Sequence, residues 1–222
     1  MSTSSKPYQS FLTWLATPLG QEFLQAELAL FERILSNCHG NHLLFVGNQK
    51  FNMVKNHGYF AHIHYAELKN LRKKLAYPDD SFNCIVMPHT LEFVEQPQLV
   101  LQEMQRLLMP EGMILISGFQ PYSYLQLLSH FPWSDYQALQ PIKPISHTTL
   151  QQQLIELEFS EVSVNTFSSN KLRNHLPYLT DAYLICASKW RYNMKPLRVN
   201  QAAKPARLIT CPGLTKVPHE TN

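Results

Sequence analysis

Apolar positions recur along this chain in two periods, and the switch between them predicts where helices give way to strands. Leu19, Phe23, Leu28, Phe31, Ile34 and Leu35 share one face of a helix. Thr17-Pro18 ahead of them is a helix start, with Thr17 as cap and Pro18 at the first position, and the helix should end near Gly40. Phe11, Leu12, Trp14 and Leu15 predict a shorter helical segment before it, after a Ser/Thr-rich start over residues 1–9 that reads as loose. His42 to Gly47 is a first strand, and the alternating run Tyr59 to Tyr65 is a second. Cys84-Ile85-Val86-Met87 has no polar alternation, which suits a strand covered on both faces. After Pro97 the period returns to helical with Val100, Leu101, Met104, Leu107 and Leu108. Pro110-Glu111-Gly112 stops that helix, and Met113 to Ser117 is a further apolar strand. Strand, crossover helix and strand joined by short turns make a right-handed βαβ unit with a parallel sheet.

Downstream, a helix is expected over Tyr122 to Phe131, and the proline-containing stretch from Pro132 to Ile145 reads as a loop. Ser146 caps a helix carrying Leu150, Leu154, Ile155 and Leu157, and Val162–Phe167 and Ala182–Ala187 are two β runs. From Trp190 the apolar period ceases, and Pro196, Pro205, Pro212 and Pro218 predict an extended or disordered tail. The chain therefore divides into a domain over 1–189, with a lead-in helix over 10–37, and a tail over 190–222.

The 222 residues are enough for one domain with a sizeable core. No run of 18 apolar residues suggests a membrane span, and MSTSSKPYQS lacks the features of a secretory signal. Cys38, Cys84, Cys186 and Cys211 form no C-x-x-C pair, so free buried thiols and a cytoplasmic location are expected. Charge alters the picture more than composition does. Residues 1–188 carry 12 Lys/Arg against 15 Asp/Glu, whereas residues 189–222 carry 7 against 1, so the net +3 belongs to the tail. No G-x-S-x-G or P-loop points to a nucleophilic or phosphate-cradling site. His57, His62 and His64 invite a metal test, since two His at i and i+2 share a strand face. No cysteine or carboxylate pair completes four ligands, and no metal is expected. Asp79-Asp80 lies in a Pro-Asp-Asp-Ser stretch that reads as a turn held by side chain to backbone bonds.

Three stretches together carry a family resemblance. They are Tyr77-Pro78-Asp79-Asp80-Ser81-Phe82, Met87-Pro88-His89-Thr90-Leu91-Glu92-Phe93-Val94, and Leu108-Met109-Pro110-Glu111-Gly112-Met113-Ile114-Leu115-Ile116-Ser117. In order and spacing they resemble the small class I S-adenosylmethionine-dependent methyltransferases of the type 11 branch. The resemblance implies an α/β, Rossmann-like, doubly wound, mostly parallel sheet with an antiparallel last strand, and S-adenosylmethionine as cofactor. It also implies a lead-in helix that closes over the cofactor. By the same resemblance Gly47 and Asn48, Tyr65, Tyr77, Met87 and Pro88 fall at cofactor-binding positions. His89 would face both cofactor and substrate and could take a proton from a hydroxyl nucleophile. Glu92 would stabilise the following backbone or pair with a surface base.

The chain also departs from that family. The loop Gly47-Asn48-Gln49-Lys50-Phe51-Asn52 keeps one of the expected glycines. The acidic residue expected after the second strand has only Tyr65 or Glu67 as counterpart, and Asn70-Leu71-Arg72 stands where another acid is expected. The interval from Gly47 to Leu75 is short for a helix, a strand and a second helix, so the first half of the fold reads as compressed. Two functions follow. One is a methyltransferase acting on a small-molecule or unidentified acceptor. The alternative is a catalytically inactive methyltransferase fold serving as a binding or regulatory partner, its basic tail contacting RNA or an anionic surface.

Overall fold

The apolar runs pair into one six-stranded sheet. Its strands are β1 (Gly40–Val46), β2 (Phe60–Ala66), β3 (Phe82–Pro88), β4 (Leu108–Phe119), β5 (Phe159–Phe167) and β6 (Ala182–Lys189). The helices are α1 (Ser5–Leu15), α2 (Pro18–Leu35), α3 (Pro97–Leu107), α4 (Tyr124–Ser129) and α5 (His147–Glu156). The computed structural model describes residues 5–47, 60–131, 134, 136–168 and 180–190. All of them fall within one unit, Met1–Tyr192. The basic tail beyond Trp190, with Cys211, lies outside the described residues.

Sheet order is β2-β1-β3-β4-β6-β5. β1 pairs in parallel with β2 and β3, and β3 with β4, while β6 runs antiparallel to both β4 and β5. The expected α/β sheet with an antiparallel last strand is therefore present, that strand inserted between β4 and β5. Between Gly47 and Leu75 the described residues hold only β2 and a 3-10 turn, Leu68–Arg72.

Local chemistry fixes several boundaries. The Thr17 hydroxyl accepts from the Gly20 amide at 3.2 Å with Pro18 in the first turn of α2, and Ser146 caps α5 through the Thr148 amide. Pro97 opens α3, as expected. Two boundaries differ from expectation. α1 begins at Ser5, so residues 5–9 are helical rather than loose, because Tyr8 packs edge-on against Phe93 with ring centroids 5.0 Å apart. α2 ends at Leu35, ahead of the expected Gly40, which instead opens β1.

α3 runs straight into β4, and Pro110-Glu111-Gly112 forms a turn within that strand. Phe82 pairs with Leu108 and Cys84 with Met113, so the intervening residues of β4 loop out. Glu111 takes φ 64, and a Cβ on Gly112 would lie 2.8 Å from the Met109 carbonyl oxygen, so the turn needs glycine.

Three apolar clusters hold the layers together. α3 and α5 contribute Leu101, Met104 and Leu154 to one sheet face, against Leu44, Ile85 and Ile185. α2 places Phe31 and Leu35 on the other face against Phe45, Val86 and Leu115. The third cluster lies across the carboxyl ends of the strands, where α1 and α2 bring Phe11, Trp14 and Phe23 against Phe93, Phe119 and Phe167. Full burial of each such side chain is worth about 1.5–3 kcal/mol. Cys38, Cys84 and Cys186 are free and buried, as expected. No helix among the described residues is long and apolar enough to cross a membrane.

Candidate functional site

Parallel strands bring their carboxyl ends to one edge, and in an open α/β sheet ligands bind there. Here β1 ends at Val46-Gly47, β2 at Ala66-Glu67, β3 at Pro88-His89 and β4 near Phe119. Short polar links lock three of these ends together. The Thr90 hydroxyl donates to the Val46 carbonyl at 2.8 Å, and the His89 amide donates to the Ser117 carbonyl at 3.1 Å. His89 takes φ 45, which turns the chain sharply off β3.

His89 is 2% exposed. Its Nδ1 lies 2.8 Å from Glu92 Oε2. Its Nε2 lies 3.3 Å from Glu27 Oε1, off the line of a hydrogen bond, so that contact is ionic. Phe11, Phe23 and Phe119 surround the ring with centroids 5.0, 5.7 and 4.4 Å away. Burial alone would push the imidazole pKa down, but the charges of Glu27 and Glu92 and the hydrogen bond to Glu92 outweigh it and carry it up to about 10. The acid–base role expected of His89 requires a free lone pair at neutral pH facing a ligand. The ring instead lies enclosed beneath Phe11 of α1, its two nitrogens turned towards Glu27 and Glu92 rather than the cleft.

Its two carboxylate partners are buried as well. Glu92, expected at a helix start or on the surface, instead accepts the Phe119 amide at 2.6 Å across the sheet end. Glu27 accepts the Ser117 hydroxyl at 2.5 Å. Sequence reasoning passed over Glu27. The available signal was its place between Phe23 and Phe31 on the apolar stripe of α2, where a carboxylate is out of pattern.

Beside this sealed cluster lies an open cleft of about 960 Å³, within the range of about 300–1,000 Å³ common for small-ligand pockets. Gly47, Glu67, Arg72, Phe93 and, from α1, Tyr8 and Gln9 line it. Gly47 has φ 150, and a Cβ built there would meet only Phe45 at 3.4 Å and Pro88 at 3.8 Å, so bare backbone faces the cleft. The Glu67 carboxylate sits 2.5 Å from Lys69 Nζ in an exposed pair. Asn48 lies outside the described residues. Met87 is buried in the core on the α3 side, and Pro88 stands next to Gly47.

Tyr65 and Tyr77 do not share this cleft. They line a neighbouring hollow of about 560 Å³ with Lys69, Asn70, Lys73 and Lys74. Tyr77 touches His64, which leads to His42 and His62. His42 Nδ1 and His64 Nε2 are 3.3 Å apart. Burial, then the neighbouring His42 and His62, lower the His64 pKa. Among the described residues no group of three His, Cys, Asp or Glu is arranged to hold a metal ion, and His57 lies outside them. The Asp79-Asp80 turn carries the side chain to backbone bond expected of it, the Ser81 hydroxyl donating to the Pro78 carbonyl at 2.6 Å, and ion pairs add to it. Asp79 pairs with Arg106 and Asp80 with Lys189.

Comparison with known proteins fits this arrangement. Residues 48–116 match the family profile described as Methyltransferase domain. The uncharacterized protein YafS of Escherichia coli (strain K12) is 26% identical over 155 residues, 64% of this chain and 62% of its own length. The chain thus spans less than two thirds of that relative. A SAM-dependent methyltransferase from Archaeoglobus fulgidus superposes with a TM-score of 0.53 at 15% identity, over 73% of this chain and 92% of that one. A SAM-dependent methyltransferase and possible histamine N-methyltransferase from Thermotoga maritima does so at 0.55 and 15%, over 82% and 95%. A phosphoethanolamine N-methyltransferase from Haemonchus contortus, solved with S-adenosylhomocysteine, gives 0.51 and 13%, over 74% and 52%. Likeness at this identity speaks for the fold, and the profile match speaks for a methyltransferase domain. Together they bear out the class I methyltransferase-like fold that the resemblance implies, with a methyltransferase-domain match over residues 48–116.

Proposed function

We propose that this chain transfers a methyl group from S-adenosylmethionine held in the cleft between Gly47 and Glu67. One observation carries the reading: a side-chain-free backbone and a carboxylate converge on an open cleft at the carboxyl ends of adjacent parallel strands. The bound cofactor supplies an electrophilic methyl, and in-line transfer calls for positioning and exclusion of water rather than a protein nucleophile.

The residues present suit that task. Gly47, with Asn48 after it and Pro88 beside it, lets a ligand approach the backbone. Glu67 is placed to accept the ribose hydroxyls in exchange for its exposed pair with Lys69, a pair worth about 0–1 kcal/mol. Tyr8 and Gln9 of α1 line the same cleft as Gly47. His89 serves as a positioning residue. Protonated, it fixes Glu92 and through it the Phe119 amide, which holds the ends of β3 and β4 in register.

Calorimetric titration of the full chain with S-adenosylmethionine and S-adenosylhomocysteine tests the reading. Saturable micromolar binding is expected, with stabilisation of about 2.7 kcal/mol at a hundredfold excess over Kd. Glu67→Ala should weaken binding about tenfold or more, as loss of a charged hydrogen-bond acceptor does. No heat at millimolar ligand would overturn it. A second reading, a methyltransferase fold retained as a binding protein, draws on the aromatic packing that encloses His89. Absence of cofactor binding in a well-folded protein would favour it.

A further inference from the structure

The basic residues of the body are not evenly spread. Lys69, Arg72, Lys73 and Lys74 are four of the twelve Lys/Arg of residues 1–188, on a body that is otherwise acidic. They form the ridge between the two clefts, since Lys69, Lys73 and Lys74 line both. The pairs Lys69–Glu67 and Arg72–Glu95 are exposed at 74%/57% and 51%/70%, so they yield readily to another anion. Lys73 and Lys74 make no ion pair among the described residues, and both are exposed.

Flat rings continue from this ridge. Tyr77 lines the hollow beside Lys73 and Lys74 and lies 5.7 Å from His64. His64 lies 5.5 Å from His42, which stacks at 5.2 Å and 20° on the exposed His62. His42, His62 and His64 stand on one face of β1 and β2, because β2 alternates and His42 pairs in register with His62. His42 Nδ1 and His64 Nε2 lie 3.3 Å apart, and no group of three His, Cys, Asp or Glu among the described residues is arranged to hold a metal ion. What remains is a run of rings, edge-on at Tyr77 and His64 and stacked at His42 and the exposed His62, bordered by the exposed ammonium groups of Lys73 and Lys74.

We propose that this ridge and the ring face beside it bind single-stranded nucleic acid, with phosphates on Lys73, Lys74 and their neighbours and bases against the histidine–tyrosine row. Cationic grooves track the phosphodiester backbone, and aromatic faces accept any base. A flat anionic surface would use the charges and leave the rings idle. Resting on the methyltransferase reading, the bound strand also carries the methyl acceptor, because the same ridge borders the cofactor cleft.

The test is fluorescence anisotropy of the full chain with labelled dodecamers of uridylate and of thymidylate, in salt from about 50 to 200 mM. Both strands bind if phosphate and base suffice, and a preference between them identifies RNA or DNA. Lys73→Glu with Lys74→Glu should weaken binding about tenfold or more and flatten the log–log salt slope by about 1.4, the value for two phosphate contacts on a single strand. His62→Ala, at an exposed position, should weaken binding about fivefold or more and leave the salt slope unchanged, the mark of lost stacking. Unchanged binding in both variants would assign the oligonucleotide to residues outside the ridge and overturn the proposal. So would equal loss of binding to phosphatidylserine vesicles and oligonucleotide in the charge variant with no effect of His62→Ala. S-adenosylmethionine titration of the same preparation keeps the two claims apart. Oligonucleotide binding without cofactor binding sinks the enzyme and spares the groove, and the converse sinks the groove alone.

Discussion

The strand-end edge is built in two opposite ways within a few residues. Around His89 the charged groups are buried, matched and wrapped in phenylalanine rings. Around Gly47 and Glu67 they are exposed, and each can change partner. Charge in the interior is tolerated only when paired, and removing one partner strands the others. Charge on a rim adds little to the fold and is therefore free to meet a ligand. The two regions should answer mutation in opposite currencies, stability on one side and affinity on the other.

His89→Ala should have the largest effect on stability. It leaves Glu27 and Glu92 buried without a cation, at a cost of about 3–5 kcal/mol in urea unfolding. Adding Glu27→Gln should recover part of that loss. The same group sets a pH dependence. Its pKa rises from the ordinary 6.5 to about 10 on folding, so its stabilisation is complete below the unfolded value and is lost as pH rises through the folded one. The melting temperature should therefore decline from neutral pH towards pH 10 in the wild type, and the decline should be absent in Glu27→Gln/Glu92→Gln.

Gly47→Val comes next, because a side chain at φ 150 is strained by about 1–3 kcal/mol and projects towards the cleft. It should lower both stability and cofactor affinity, the one variant that crosses the boundary. Thr90→Val keeps the shape and removes the bond to the Val46 carbonyl, with an expected loss of about 0.5–1.5 kcal/mol. Glu67→Ala should move the unfolding midpoint by less than about 0.5 kcal/mol while weakening S-adenosylmethionine. A large stability loss in Glu67→Ala, or none in His89→Ala, would erase the contrast.

Much of the fold was legible because its signals are local. Cys84–Met87, Pro97 and the cap Thr17 each identify their own element through burial, a missing N–H or a side-chain oxygen. The turn at Pro110–Gly112 was legible, but its place inside β4 was not, since that depends on pairing with β3. α1 was placed too late because Lys6 and Gln9 carry no apolar period, and it is Tyr8 against Phe93 that extends the helix. Gly47 was found through a family pattern and does face the cleft. Glu27 and His89 are 62 positions apart in sequence, and no spacing rule joins them. Tyr65 and Tyr77 were drawn to the cofactor by the same pattern. In the structure they line a hollow that shares Lys69, Lys73 and Lys74 with the Gly47 cleft, and that placement depends on how β2 and the 3-10 turn after it pack, which no local pattern states.

The two outer strands of the sheet differ in a way that bears on the protein at high concentration. An edge strand offers its free N–H and C=O groups to any other chain that can extend beside it. β5 guards its edge with a break in register between Ser160 and Ser163, where Glu161 takes φ 51 and carries a carboxylate. β2 keeps an unbroken register from Phe60 to Ala66, and its polar residues are histidines rather than lysines or carboxylates. Light scattering of concentrated protein should therefore report association through β2, and Ala61→Lys, which places a lasting charge at an exposed position of that strand, should suppress it.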